Sequence, residues 1–110
     1  MAKYVVFFSY PSEAWARLIQ SPGDRTAAVR QLAGSVSGSF DSMYWMTGAR
    51  DGFAIIDTPD SIGAAAVSVA VNSTGSFKNV ETQELLTQEQ LNQVLSQAKA
   101  ATQAYQAPGT

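Results

Sequence analysis

The chain is predicted to fold as an α+β domain, a four-stranded antiparallel sheet in the order 4-1-3-2 with helices on one face. Three observations predict it. Tyr4-Val5-Val6-Phe7-Phe8 is an unbroken apolar run of strand length, which calls for burial on both sides and hence a central place in the sheet. Ser39 to Pro59 holds two runs rich in aromatic and β-branched residues around Gly48-Ala49-Arg50-Asp51-Gly52, which reads as a β-hairpin with a loop of about four or five residues. Helical patterns separate the first strand from the hairpin and the hairpin from a fourth strand, giving the order β-α-β-β-α-β.

Composition bounds the function. At 110 residues the chain is long enough for one domain with an ordinary core, and a 45% hydrophobic, 15% charged composition fits a compact protein. The charged share is low, and many surface positions must be Ala, Ser, Gln or Thr, which favours contacts between copies. Seven basic residues against nine acidic ones give a net charge of −2, and Lys3, Arg17, Arg25, Arg30, Arg50, Lys78 and Lys99 form no run. Nucleic-acid binding by clustered cations is therefore not expected. With no cysteine and no histidine the chain lacks thiolate nucleophiles, disulfides and the commonest metal ligands, so no metal and no cofactor is expected. The apolar run at the N-terminus is too short for a signal peptide or a membrane span, and a cytoplasmic location is the expectation.

After the first strand, Pro11 is placed to open a helix, with Trp15, Leu18 and Ile19 as its apolar stripe. Ser21-Pro22-Gly23-Asp24 interrupts it, with Ser21 as the expected cap of a restarted helix running to about Val36 and stopping at Gly38. In the hairpin, strict alternation puts Phe40, Ser42, Tyr44 and Met46 on one face and Asp41, Met43, Trp45 and Thr47 on the other. Both faces carry large side chains. Thr58-Pro59-Asp60 then opens a helix, with Thr58 as the expected cap and Asp60 near the positive end of its dipole, and the helix is rich in small residues (Ala64, Ala65, Ala66, Ala70), which can lie close to the sheet. Gly75 ends it, and Phe77 to Leu86 follows as a poorly alternating edge strand. Thr87-Gln88-Glu89-Gln90 is a capping-box pattern, opening a last helix that Leu91, Val94 and Leu95 are expected to dock.

This order is the ferredoxin-like split βαβ arrangement, with residues 1–86 as the domain, 87–106 as an appended helix and 107–110 as a tail. Helices on one face leave the other bare, and its apolar residues predict a homo-oligomer, at least a dimer.

Several stretches together resemble the GYD domain family, small bacterial proteins of ferredoxin-like, dimeric α/β-barrel type. They are the opening YVVFFSYPSEAWARLI, Asp24-Arg25-Thr26-Ala27-Ala28, Tyr44-Trp45-Met46-Thr47-Gly48, Asp51, Pro59-Asp60, Thr74-Gly75-Ser76-Phe77 and Val80-Glu81-Thr82. The likeness covers roughly residues 3–86. The motif that names the family has a tyrosine between Gly and Asp, whereas this chain reads Gly48-Ala49-Arg50-Asp51. The family implies the fold and no general activity.

Candidate ligand-binding residues are Tyr10, Trp15, Trp45, Arg50 and Asp51. The first strand and the second hairpin strand are expected to be antiparallel neighbours, so the hairpin loop should meet the carboxyl end of the first strand, where Tyr10 emerges. Asp51 can act as a base or hold a turn, and Arg50 can clamp an anion or pair with a surface acid. Tyr44 and Trp45, on adjacent strand positions, face opposite ways, so only one can line a given pocket. Asp24-Arg25 reads as a cap followed by a helix-surface cation. No catalytic triad, phosphate loop or dinucleotide fingerprint is present. Two functions fit: a self-associating domain that binds a small apolar ligand or a protein partner, or a cofactor-independent enzyme of oxygenase or isomerase type acting on an apolar small molecule. The second would need acid–base groups with strongly shifted pKa values, given the absence of histidine and cysteine.

Overall fold

A computed structural model describes residues 1–110. Its elements are β1 (Ala2–Ser9), α1 (Ser12–Gln20), α2 (Arg25–Gly34), β2 (Ser39–Trp45), β3 (Gly52–Thr58), α3 (Ser61–Ser73), β4 (Asn79–Leu85) and α4 (Gln88–Ala104). The strands form one sheet in the order β2-β3-β1-β4, every neighbouring pair antiparallel. This is the ferredoxin-like topology that the sequence predicts.

Register decides what each face carries. Tyr4, Val6 and Phe8 of β1 lie opposite Ile56, Ala54 and Gly52 of β3, and opposite Glu84, Thr82 and Val80 of β4. That face turns toward α2 and α3: Tyr4 and Ile56 are buried with Ala33 and Ala64, and Val6 and Val29 pack on them. Each large apolar side chain buried here contributes about 1.5–3 kcal/mol. Small residues let the helices approach. Gly52 leaves room within the sheet for the Phe8 ring, which a Cβ there would meet at 2.6 Å.

The other face bears no packed helix. Phe7 lies 5.9 Å from Phe53, and Tyr44 lies 5.7 Å from Phe53, so an aromatic row crosses three strands. Val5 is buried by its strand neighbours while Tyr44 is 61% exposed. The two-sided apolar character of β1 thus reflects one face against helices and one aromatic face left open.

Local chemistry departs from expectation at four points. A bulge between Phe40 and Ser42 breaks the alternation of β2, so Phe40 shares the helix-side face with Met43 and Trp45. Asp41 reaches Lys3 across the bare face, which also binds Asp57. The cap of α2 is Asp24, not Ser21: its carboxylate accepts the Thr26 N–H at 3.0 Å. The helix then ends in a Schellman motif, with Ser37 N–H on Gly34 O and Gly38 N–H on Ala33 O. Ser37, not glycine, takes the positive φ of 60°. Likewise α3 is capped by Asp60, not Thr58: the Asp60 carboxylate accepts the Gly63 N–H, while the Thr58 hydroxyl donates to Asp60 O.

The helices that flank the domain also differ from their sequence reading. Pro11 precedes α1 as its N-cap, and α1 buries only Ala14, with Ile19 turned to solvent. The capping box of α4, Thr87 with Gln90, forms as predicted. Yet α4 buries none of its residues, and Leu91, Val94 and Leu95 stay exposed rather than docked. The chain is accordingly elongated, with a radius of gyration of 17.6 Å, against about 13 Å for a compact chain of this length. No helix is long and apolar enough to cross a membrane.

Candidate functional site

The hairpin loop is tied to the end of β1 by backbone geometry. Asp51 N–H donates to Phe8 O at 2.9 Å, and Met46 N–H donates to Asp51 O at 2.8 Å. Ser9 Oγ donates to Ala49 O at 3.3 Å. On the β4 side, Lys78 N–H donates to Ser9 O at 2.8 Å, which draws the segment after α3 to the same place. The loop, the end of β1, the start of α1 and the approach to β4 therefore meet at one end of the sheet.

Four of the five predicted site residues meet there. Asp51 Oδ2 accepts from the Tyr10 N–H at 2.7 Å and from Trp15 Nε1–H at 3.2 Å. The Tyr10 ring lies 5.6 Å from Trp15 and 6.1 Å from Trp45, and the two indoles are 6.0 Å apart. Phe8 closes the base, edge-on to Trp45 at 5.3 Å. Trp45 stands on the helix-side face and Tyr44 on the bare face, which settles which of the two belongs to this cluster.

Arg50 goes elsewhere. Its guanidinium lies 4.3 Å from the Phe7 ring centroid and donates to Glu81 Oε2 at 2.8 Å, both on the bare face of the sheet. Arg50 and Asp51, both ahead of β3, thus project to opposite sides of the sheet.

Two residues that sequence reasoning did not assign to the site belong to it. Phe77, read as a strand residue, precedes β4 and stacks on Tyr10 at 4.8 Å. Arg25, read as a surface cation, opens α2 beside the cluster. A narrow apolar cavity of about 60 Å³ runs between sheet and helices, lined by Val6, Phe8, Val29, Leu32 and Val67 among others, with Arg25 its sole charged wall. Two wider grooves adjoin it at the surface. One, of about 290 Å³, is walled by Tyr10, Arg17, Leu18, Arg25 and Phe77. The other, of about 420 Å³, is walled by Trp15, Leu18, Arg25, Trp45 and Met46. The inner cavity is too small for more than a tail of a ligand. The grooves at its mouth have the size of a small-molecule seat.

The electrostatics follow from who is already engaged. Asp51 is taken up by two N–H donors. Hydrogen bonds from the Thr26 hydroxyl and then its amide hold the Asp24 carboxyl below the usual carboxylate range. The ion pairs of the chain belong to Lys3 and Arg50, leaving Arg17 and Arg25 without an acidic partner. The arrangement offers aromatic walls, a cation and no free base.

Comparison with known proteins bears on the fold and on the family of the chain. Among solved structures, one titled MtbAldR is similar, with a TM-score of 0.51 at 11% sequence identity, over 79% of this chain and 53% of that one. The chain thus spans about half the length of that protein, and the likeness is one of fold. No curated protein matches it. The sequence model of the GYD domain matches residues 4–95, from β1 into the first turns of α4. With the fold that the likeness implied in place, and most of its length matched, the chain belongs to the GYD domain family.

Proposed function

We propose that this GYD domain is a self-associating binding module whose ligand is a small apolar or aromatic molecule held at the carboxyl end of β1. One observation carries the reading: Tyr10, Trp15, Trp45 and Phe77 gather around the mouth of an apolar cavity, and both tryptophans remain partly open, at 37% and 44% exposure. Rings committed to a core would be covered. Half-open rings above a hollow supply a stacking surface at little ordering cost. Self-association rests on the aromatic row of Phe7, Phe53 and Tyr44 on the sheet face that no helix covers. Catalysis by Asp51 is disfavoured, because its carboxylate serves as acceptor for Tyr10 and Trp15.

Thermal-shift screening of small neutral aromatics tests the binding reading. Binders should raise the melting temperature saturably, and Trp45→Ala should abolish the rise. A screen in which nothing shifts the wild-type chain counts against it.

A further inference from the structure

We infer that the ligand is a small aromatic carboxylate, its ring lying across Trp15 and Trp45 and its carboxylate on Arg25. The inference rests on the binding reading above and adds the chemistry of the ligand's head.

Arg25 is the one residue that lines all three hollows, the inner cavity and both grooves. No acidic residue lines any of them. The chain carries a net charge of −2, so this is a local patch of the opposite sign. Nearby carboxylates are spent: Asp24 on Thr26 at the cap of α2, Asp51 on Tyr10 and Trp15. A half-buried guanidinium among apolar walls loses hydration without regaining it from a partner. Its planar fork matches a carboxylate with two parallel N–H···O bonds.

The groove of Trp15 and Trp45 has room for a ring, and Arg25 is its only charged wall. The indoles already touch, with centroids 6.0 Å apart and planes tilted by 58°, so a ligand ring lies over them rather than between them. Arg25 and Leu18 are shared with the second groove, where Arg17 adds a second positive charge. A single acidic head is drawn toward that junction, and an apolar body fills the tryptophan side.

Titration with phenylacetate and with phenylacetamide, its neutral counterpart of the same shape, tests this. Two-dimensional NMR reads the indole N–H signals of Trp15 and Trp45 directly. Phenylacetate should bind about tenfold more tightly than the amide, the preference that one charge-assisted hydrogen bond supplies. Arg25→Gln should bring the two to equal affinity, and Arg25→Lys should keep part of the preference. Equal affinities in the wild-type chain, or a preference that survives Arg25→Gln, would overturn the carboxylate assignment and leave the aromatic site standing. If neither compound moves either indole signal, both the assignment and the binding reading fall.

Discussion

The backbone N–H of Tyr10 donates to the carboxylate of Asp51 at 2.7 Å, joining two residues 41 positions apart. Through this contact the hairpin loop holds the exit of β1, and through Trp15 Nε1 the same oxygen holds the start of α1. Asp51→Ala would leave both donors without their acceptor, a loss of about 1–3 kcal/mol. For a domain of this size that lowers the melting temperature by roughly 4–8 °C per kcal/mol. Asp51→Asn keeps one oxygen and should lose less. An unchanged melting temperature in Asp51→Ala would mean the carboxylate is not structural.

Ser37 marks a place where the chain can be improved. It holds φ at 60°, the conformation that glycine takes without a side-chain penalty. Ser37→Gly should stabilise the domain by about 0.5–1 kcal/mol, read from chemical denaturation. Its neighbour behaves oppositely, because a Cβ on Gly38 would run into the carbonyl oxygen of Asp57. Gly38→Ala should therefore destabilise by about 1–3 kcal/mol. Reversed signs for this pair would contradict the Schellman ending of α2.

Alkaline pH should weaken the fold. Hydrogen bonds to Asp41 and then Asp57 raise the Lys3 pKa above 10.5, and burial first, with Glu84 and Asp60 adding, raises that of Tyr4 above 10.0. Both groups hold their protons longer when folded. Their contribution is complete below the ordinary values and is lost as pH rises through the folded ones. The melting temperature should hold up to about pH 10 and then decline, and Tyr4→Phe should flatten the decline. An identical alkaline limb in that variant would remove Tyr4 from the account.

Much of this fold was legible because period-two and period-3.6 patterns survive long strands and caps. Tyr4–Phe8 reads as a central strand, and Thr87 with Gln90 as a helix start, on local evidence alone. The bulge at Asp41 was not legible. One extra residue leaves no composition signal, and the partner that Asp41 meets there, Lys3, is 38 residues away. The fate of Arg50 could not have been read from alternation, which counted back from Phe53 and Gly52 puts position 50 on the helix side, opposite to where the loop sends it. Nor could that of Arg25, since its place at the mouth depends on where the break between α1 and α2 lands against the hairpin. The stripe on α1 misled for a related reason: a short helix at the rim of a cavity presents Trp15 to the opening and Ile19 to water.

The open sheet face and α4 should separate cleanly in solution. Light scattering at micromolar concentration should give at least a dimer, and a chain ending at Leu86 should remain folded and associated, since α4 buries none of its residues. Phe53→Glu, which places a charge within the aromatic row, should give a monomer. A wild-type chain that is monomeric at that concentration would refute the assembly.

The site itself is tested most directly by intrinsic tryptophan emission, since Trp15 and Trp45 are the two tryptophans of the chain and both line the groove. Titration with a small, non-fluorescent aromatic such as phenylacetamide should change the emission along a single saturable curve, and the change should shrink in Trp45→Phe. Emission that stays flat, or drifts linearly up to the solubility limit of the compound, would contradict the claim that these rings form a binding site.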